Sequence, residues 1–115
     1  MSKHMQLVTK VEPYYKKGLA GVYPRIAYRL HFLEPEWVDS GPSLFEIVGR
    51  LDRILYKSEA DPPFRALLRK YKEQLHALYE RIEERIADWR LAEADKLLYE
   101  IEDIFDEIER ELKKM

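Results

Sequence analysis

The chain has 115 residues, one domain's worth of sequence, enough to bury one modest core and no second one. Hydrophobic residues at 46% beside charged residues at 37% fit a folded, soluble protein rather than a disordered tail. The absence of cysteine excludes disulfides, thiolate metal sites and cysteine nucleophiles, and no apolar run approaches the roughly 20 residues of a membrane span.

Asparagine is absent too, against fifteen Glu, ten Lys and ten Arg. Charge enrichment with few labile residues is the composition of thermophile proteins, and a cytoplasmic location is expected. The formal net charge of −2 hides an asymmetry. Residues 1–33 carry Lys3, Lys10, Lys16, Lys17, Arg25 and Arg29 against Glu12 alone, whereas residues 93–115 carry nine acids against Lys96, Arg110, Lys113 and Lys114.

The expected fold is mainly α and a single domain over 1–115: a long antiparallel helical hairpin plus one shorter helix, with an N-terminal extended arm or small β-hairpin. Residues 1–4 read as a cloning remnant, since His4-Met5 looks like a junction. Residues 5–34 form a basic, tyrosine-rich arm. Within it Ile26, Tyr28, Leu30 and Phe32 alternate with Ala27, Arg29 and His31, as a half-buried strand would. Ile26, Leu30 and Leu33 also suit one helical face after Pro24, so a short helix is the alternative.

Residues 34–42 read as a connection, with Trp37 folded back onto the core and Ser40-Gly41-Pro42 as a breaker. Ser43-Leu44-Phe45-Glu46 is a capping box, opening a helix over 43–58 whose apolar face is Leu44, Ile47, Val48, Leu51, Ile54 and Leu55. Asp61-Pro62 supplies an N-cap and a proline at the first helical position. From there Phe64, Leu68, Tyr71, Leu75, Leu78 and Ile82 make one stripe, and Leu91, Ala94, Leu98, Ile101, Phe105, Ile108, Leu112 and Met115 make a second. A break near Asp88-Trp89-Arg90, with Asp88 capping the second helix, folds 62–114 into a hairpin of two helices of ~39 Å each. What the shorter helix leaves uncovered falls to the front arm or to a second copy of the chain, and a dimer is expected.

Three constellations imitate chemistry. Glu80 and Glu83 with Glu100 and Asp103 resemble the paired acids of MazG-like nucleotide pyrophosphohydrolases, which hold magnesium between helices. Magnesium needs inward-facing carboxylates, yet helical periodicity turns these four toward water. Glu73-Gln74-Leu75-His76 has the Glu-x-x-His spacing of di-iron bundles, but no second such motif exists and Glu73 points off the seam. Arg69 and His76 resemble the loose Arg-x₆-His arrangement of HEPN-type ribonucleases, where the polar residue that usually follows the arginine is Lys70 here. No catalytic, cofactor-binding or metal-binding residue is assigned, and no cofactor is expected.

The expected function is therefore non-enzymatic: a protein–protein interaction or assembly subunit built on the hairpin, with a protein partner. The alternative is a nucleic-acid-binding accessory protein using Tyr14, Tyr15, Lys16, Lys17, Arg25 and Arg29, where cations neutralise phosphates and tyrosines stack on unpaired bases. If the front is structural instead, its cations are expected near Glu100, Asp103 and Glu107.

Overall fold

A computed structural model describes residues 18–115, which are mainly helical, with no strand among them. The elements are α1 (Gly18–Val22), α2 (Pro24–Leu33), α3 (Pro35–Asp39), α4 (Leu44–Gly49), α5 (Leu51–Lys57), a 3₁₀ turn (Ser58–Ala60), α6 (Pro62–Ala87) and α7 (Leu91–Lys113).

The two long helices set the dimensions, 52 × 27 × 26 Å. They lie against each other along Leu75, Leu78 and Ile82 of α6 and Ala94, Leu97, Ile101 and Phe105 of α7, all buried, with Ile82 and Ile101 inaccessible to solvent. Lys70 and Tyr71, early in α6, bond to Glu111 late in α7 at 2.9 and 3.1 Å. Toward the other end Arg85 faces Glu93 at 3.7 Å. The buried line on α7 runs through Leu97 rather than Leu98, which is half-buried, and Leu91 and Met115 at its ends are exposed. Besides α6, the helices α2 and α4 also pack against α7.

Between the long helices, Trp89 takes the left-handed conformation at φ 59°. Its N–H donates to the Ile86 carbonyl at 3.0 Å, and the Arg90 N–H donates to the Arg85 carbonyl at 2.7 Å. That bonding pair is a Schellman closure, in which glycine usually holds the left-handed position. Asp88 is accordingly the residue that ends α6, and α7 starts after Arg90 with no side-chain cap; the expected capping role of Asp88 is corrected. Asp61 does not cap α6 either. Its carboxylate accepts from Arg29 at 2.6 Å instead, a charge-assisted bond that outcompetes a local N–H.

The middle helix expected over 43–58 is divided. Ser43 caps α4 by accepting from the Glu46 N–H at 3.1 Å, but the chain leaves helical geometry at Arg50, directly after Gly49, a weak helix former. Gly49 also admits a close approach: a Cβ there would meet the Tyr79 ring at 3.0 Å, and Tyr79 is stacked on Phe45 with ring centroids 4.4 Å apart. The connection before it holds one helical turn, α3, whose Trp37 is half-buried with the Arg50 guanidinium 4.5 Å over its ring. Gly41, at φ 75°, makes the turn that a side chain would strain.

The extended-arm or β-hairpin expectation for 5–34 is corrected for residues 18–33, which form α1 and α2. Pro24 at the first helical position presets the helix, and Ile26, Ala27 and Leu30 then fall on one face, 2–3% exposed. A strand would have buried Ile26, Tyr28, Leu30 and Phe32 together. Residues 1–17, with the junction at 1–4 and the front of the arm, lie outside the described residues.

Candidate interaction surface

The site is built on α2, which reaches the body of the protein through acids on other elements. The first N–H groups of a helix have no partner within it. In α2 those of Arg25 and Ile26 donate to the two carboxylate oxygens of Glu109 on α7, at 2.8 and 3.0 Å. A carboxylate at this end also meets the positive pole of the helix dipole. One turn earlier on α7, Asp106 accepts from the Tyr23 hydroxyl at 2.9 Å, and the buried Tyr23 ring meets Phe105 edge-on at 6.0 Å.

At the other end of α2, Glu34 lies 2.7 Å from Lys57 and 2.9 Å from Arg53 of α5. The Lys57 hydrogen bond, with the charges of both cations, holds the Glu34 carboxyl below its ordinary range. Arg29 and Asp61 complete the set of ties. Each uses a residue distant in sequence, and together they fix the rotation of a ten-residue helix too short to be stable alone.

That rotation decides what faces out. With Ile26, Ala27 and Leu30 inward, Tyr28 and Phe32 lie on the opposite face, one turn apart, 76% and 78% exposed. They stand over an open groove of about 650 Å³ lined by Pro24, Arg25, Tyr28, Arg29, Phe32, Asp61 and Leu112. By contrast, the void inside the core is about 10 Å³ with a wholly apolar lining, too small to hold a ligand.

The sequence-predicted nucleic-acid residues divide. Tyr14, Tyr15, Lys16 and Lys17 lie outside the described residues. Arg25 and Arg29 both line the groove, Arg25 3.6 Å from Glu109 and Arg29 2.6 Å from Asp61. The acids that meet them are thus Glu109 and Asp61, not Glu100, Asp103 and Glu107; Glu107 pairs with Arg110 on its own helix.

Glu80, Glu83, Glu100 and Asp103 are exposed, and no group of three or more potential ligands able to hold a metal occurs among the described residues. His76 lies 3.5 Å from Asp52, while Glu73 is exposed. Among those residues no helix is long and apolar enough to cross a membrane.

Sequence reasoning missed Tyr28 and Phe32 as an outward pair because strand alternation puts them on the side of Ile26 and Leu30. Pro24 followed by Ile26, Ala27 and Leu30 was the signal that could have separated them. Comparison of the chain with protein-family models, with curated proteins and with solved structures returns no match.

Proposed function

We propose that the chain is a non-enzymatic protein–protein interaction or assembly subunit, built on a helical hairpin formed by α6 and α7 and docking a partner protein on the outer face of α2. The observation that carries this reading is the pair Tyr28 and Phe32, each more than three-quarters exposed and both lining one open groove. Rigid aromatic side chains with few torsions are the residues that most often anchor protein interfaces. α2 is held by side chains on three other elements, so its outer face is preorganised and little ordering cost remains on binding.

The test is affinity capture from the native cell with the wild-type chain and with Phe32→Glu. A partner retained by the wild type and lost with the variant, both being folded, supports the reading; a partner retained equally by both removes α2 from it.

A second reading, an accessory protein that contacts nucleic acid, draws support from Arg25 and Arg29 lining the same groove as Tyr28, with Tyr14, Tyr15, Lys16 and Lys17 preceding them in the chain. Against it stand Asp61 and Glu109, which offset both arginines and would repel phosphates. Titration of a labelled single-stranded oligonucleotide at low salt separates the readings. Binding at about 10 μM that weakens steeply with salt supports the second, since non-specific contacts typically show 10⁻⁴–10⁻⁶ M; its absence leaves the first.

A further inference from the structure

We infer that α1 and α2 form a strap that lifts from the body as a unit, and that the seat beneath it receives an amphipathic helix of a partner protein. The strap itself shows what the seat takes. Tyr23, Ile26, Ala27 and Leu30 are its anchors, 2–5% exposed, and they stand at i, i+3, i+4 and i+7. That is the spacing by which a helix lays its apolar face into a hydrophobic groove. The walls come from other elements: Leu51 and Ile54 of α5 and Phe105 and Ile108 of α7 close with Ile26 and Leu30 around one small apolar void. The Arg25 and Ile26 N–H groups that open the helix donate to Glu109 at 2.8 and 3.0 Å, and Arg29 donates to Asp61 at 2.6 Å. The seat therefore fixes the direction of its helix as well as the apolar fit.

This contact is also the one built to part. The open groove of about 650 Å³ runs between α2 and the side chains of Asp61 and Leu112, so water already reaches one flank of the strap. Its polar ties use the carboxylates of Glu109, Asp61 and Glu34, which are 15–27% exposed, and water can bond to each in place of its partner. The long helices meanwhile close on each other through Leu78, Ile82, Ala94 and Leu97, which leaves the body a core when the strap is away. Among the described residues one connection, 34–42, joins strap to body, and Gly41 in it has the positive φ of 75° that lets a chain turn sharply. Elements tied mainly by surface hydrogen bonds open at lower free energy than the whole fold.

While the strap is seated, a partner helix must compete with it, and its apparent affinity falls by the fraction of chains that are open. The outer face of α2 takes no part in this competition, so the docking proposed there is tested separately.

The experiment uses the full chain. Native-state hydrogen exchange should show the amides of residues 18–33 exchanging as one group, at least about tenfold faster than those around Ile82 and Ile101. A fluorescent, end-blocked peptide of residues 18–34 is then titrated into wild type, Ile26→Asp and Leu30→Asp, each checked for helix content by circular dichroism. The expected result is weak binding to wild type and binding at least about tenfold tighter to both variants, whose own strap no longer competes. A peptide that itself carries Ile26→Asp should not bind.

Strap amides that exchange only with global unfolding overturn the proposal, and that measurement needs no variant. So do variants that bind the peptide no better than wild type, an altered peptide that binds as well as the native one, or loss of the α6 and α7 helices in both variants.

Discussion

The α6–α7 pair and α2 are both rich in apolar residues, but they dispose of them differently. Along the pair the apolar residues fall on a single stripe per helix, and each stripe is covered by the other helix, with α4 and α5 packed on α6 and α2 and α4 packed on α7. In α2 they alternate, and a helix cannot hide an alternating pattern: Ile26 and Leu30 go in, Tyr28 and Phe32 come out. A helix whose composition is as apolar as a core helix can therefore present aromatic surface without any change in content. The order of its residues is enough. Long helices of one stripe make the body, and a short helix of two faces leaves aromatic side chains on its surface.

The comparison breaks most visibly at the centre of the α7 stripe. Ile101→Asp puts an unpaired charge where no solvent reaches and should cost about 3–5 kcal/mol, read as a collapse of the melting temperature. An unchanged melt would mean that the stripe is not the core.

A smaller effect is expected where the two regions join. Glu109→Ala removes the acceptor for two N–H groups of α2 and should cost about 1–2 kcal/mol, the worth of a good helix cap. Hydrogen exchange should quicken in α2 and stay slow in α6 and α7. Exchange quickening equally in all three would show that α2 is not a separable element.

The turn at Trp89 gives an effect of opposite sign. Trp89→Gly relieves a left-handed side chain and should raise stability by about 1 kcal/mol, measured by denaturant midpoint. A destabilised variant would mean that the Trp89 ring contributes packing that its 56% exposure does not suggest.

The smallest effect lies on α7 beside α2. Burial, then the negative charges of Asp106, Asp103 and Asp95, raise the pKa of Glu102 above its usual 4.5. A carboxyl raised in the folded state destabilises that state when ionised, so the penalty is full above the folded pKa and is relieved as pH falls through it. Glu102→Gln should therefore stabilise by a few tenths of a kcal/mol at pH 7, small because the side chain stays largely in water. The gain should vanish below pH 4.5, and one that persisted there would point to packing rather than charge.

How much of this was legible in the sequence follows from whether the deciding contact is local. Pro62, the end of α6 near Asp88 and the stripe through Ile101 and Phe105 depend on residues a turn apart, and the sequence shows them. Asp61 and Asp88 have the composition of caps, but Arg29, 32 positions away, takes the first, and the left-handed Trp89 turns the second into a helix end. Glu109 as the cap of α2 lies 83–84 positions from its donors and has no local signal at all. The candidate site was half legible. Arg25 and Arg29 stood out as cations among tyrosines, whereas Tyr28 and Phe32 became distinct from Ile26 and Leu30 only once the period was known to be helical.

The central claim is that, among the described residues, none covers the aromatic face of α2. Because the protein has no cysteine, one thiol can report on it. Phe32→Cys and Ile101→Cys are to be timed in dilute solution against a thiol-specific reagent beside a free thiol. The account predicts that the thiol at position 32 reacts at nearly the free rate, while that at 101 waits for unfolding. Protection at 32 as strong as at 101 would mean that the chain covers its own face, and the account would be wrong.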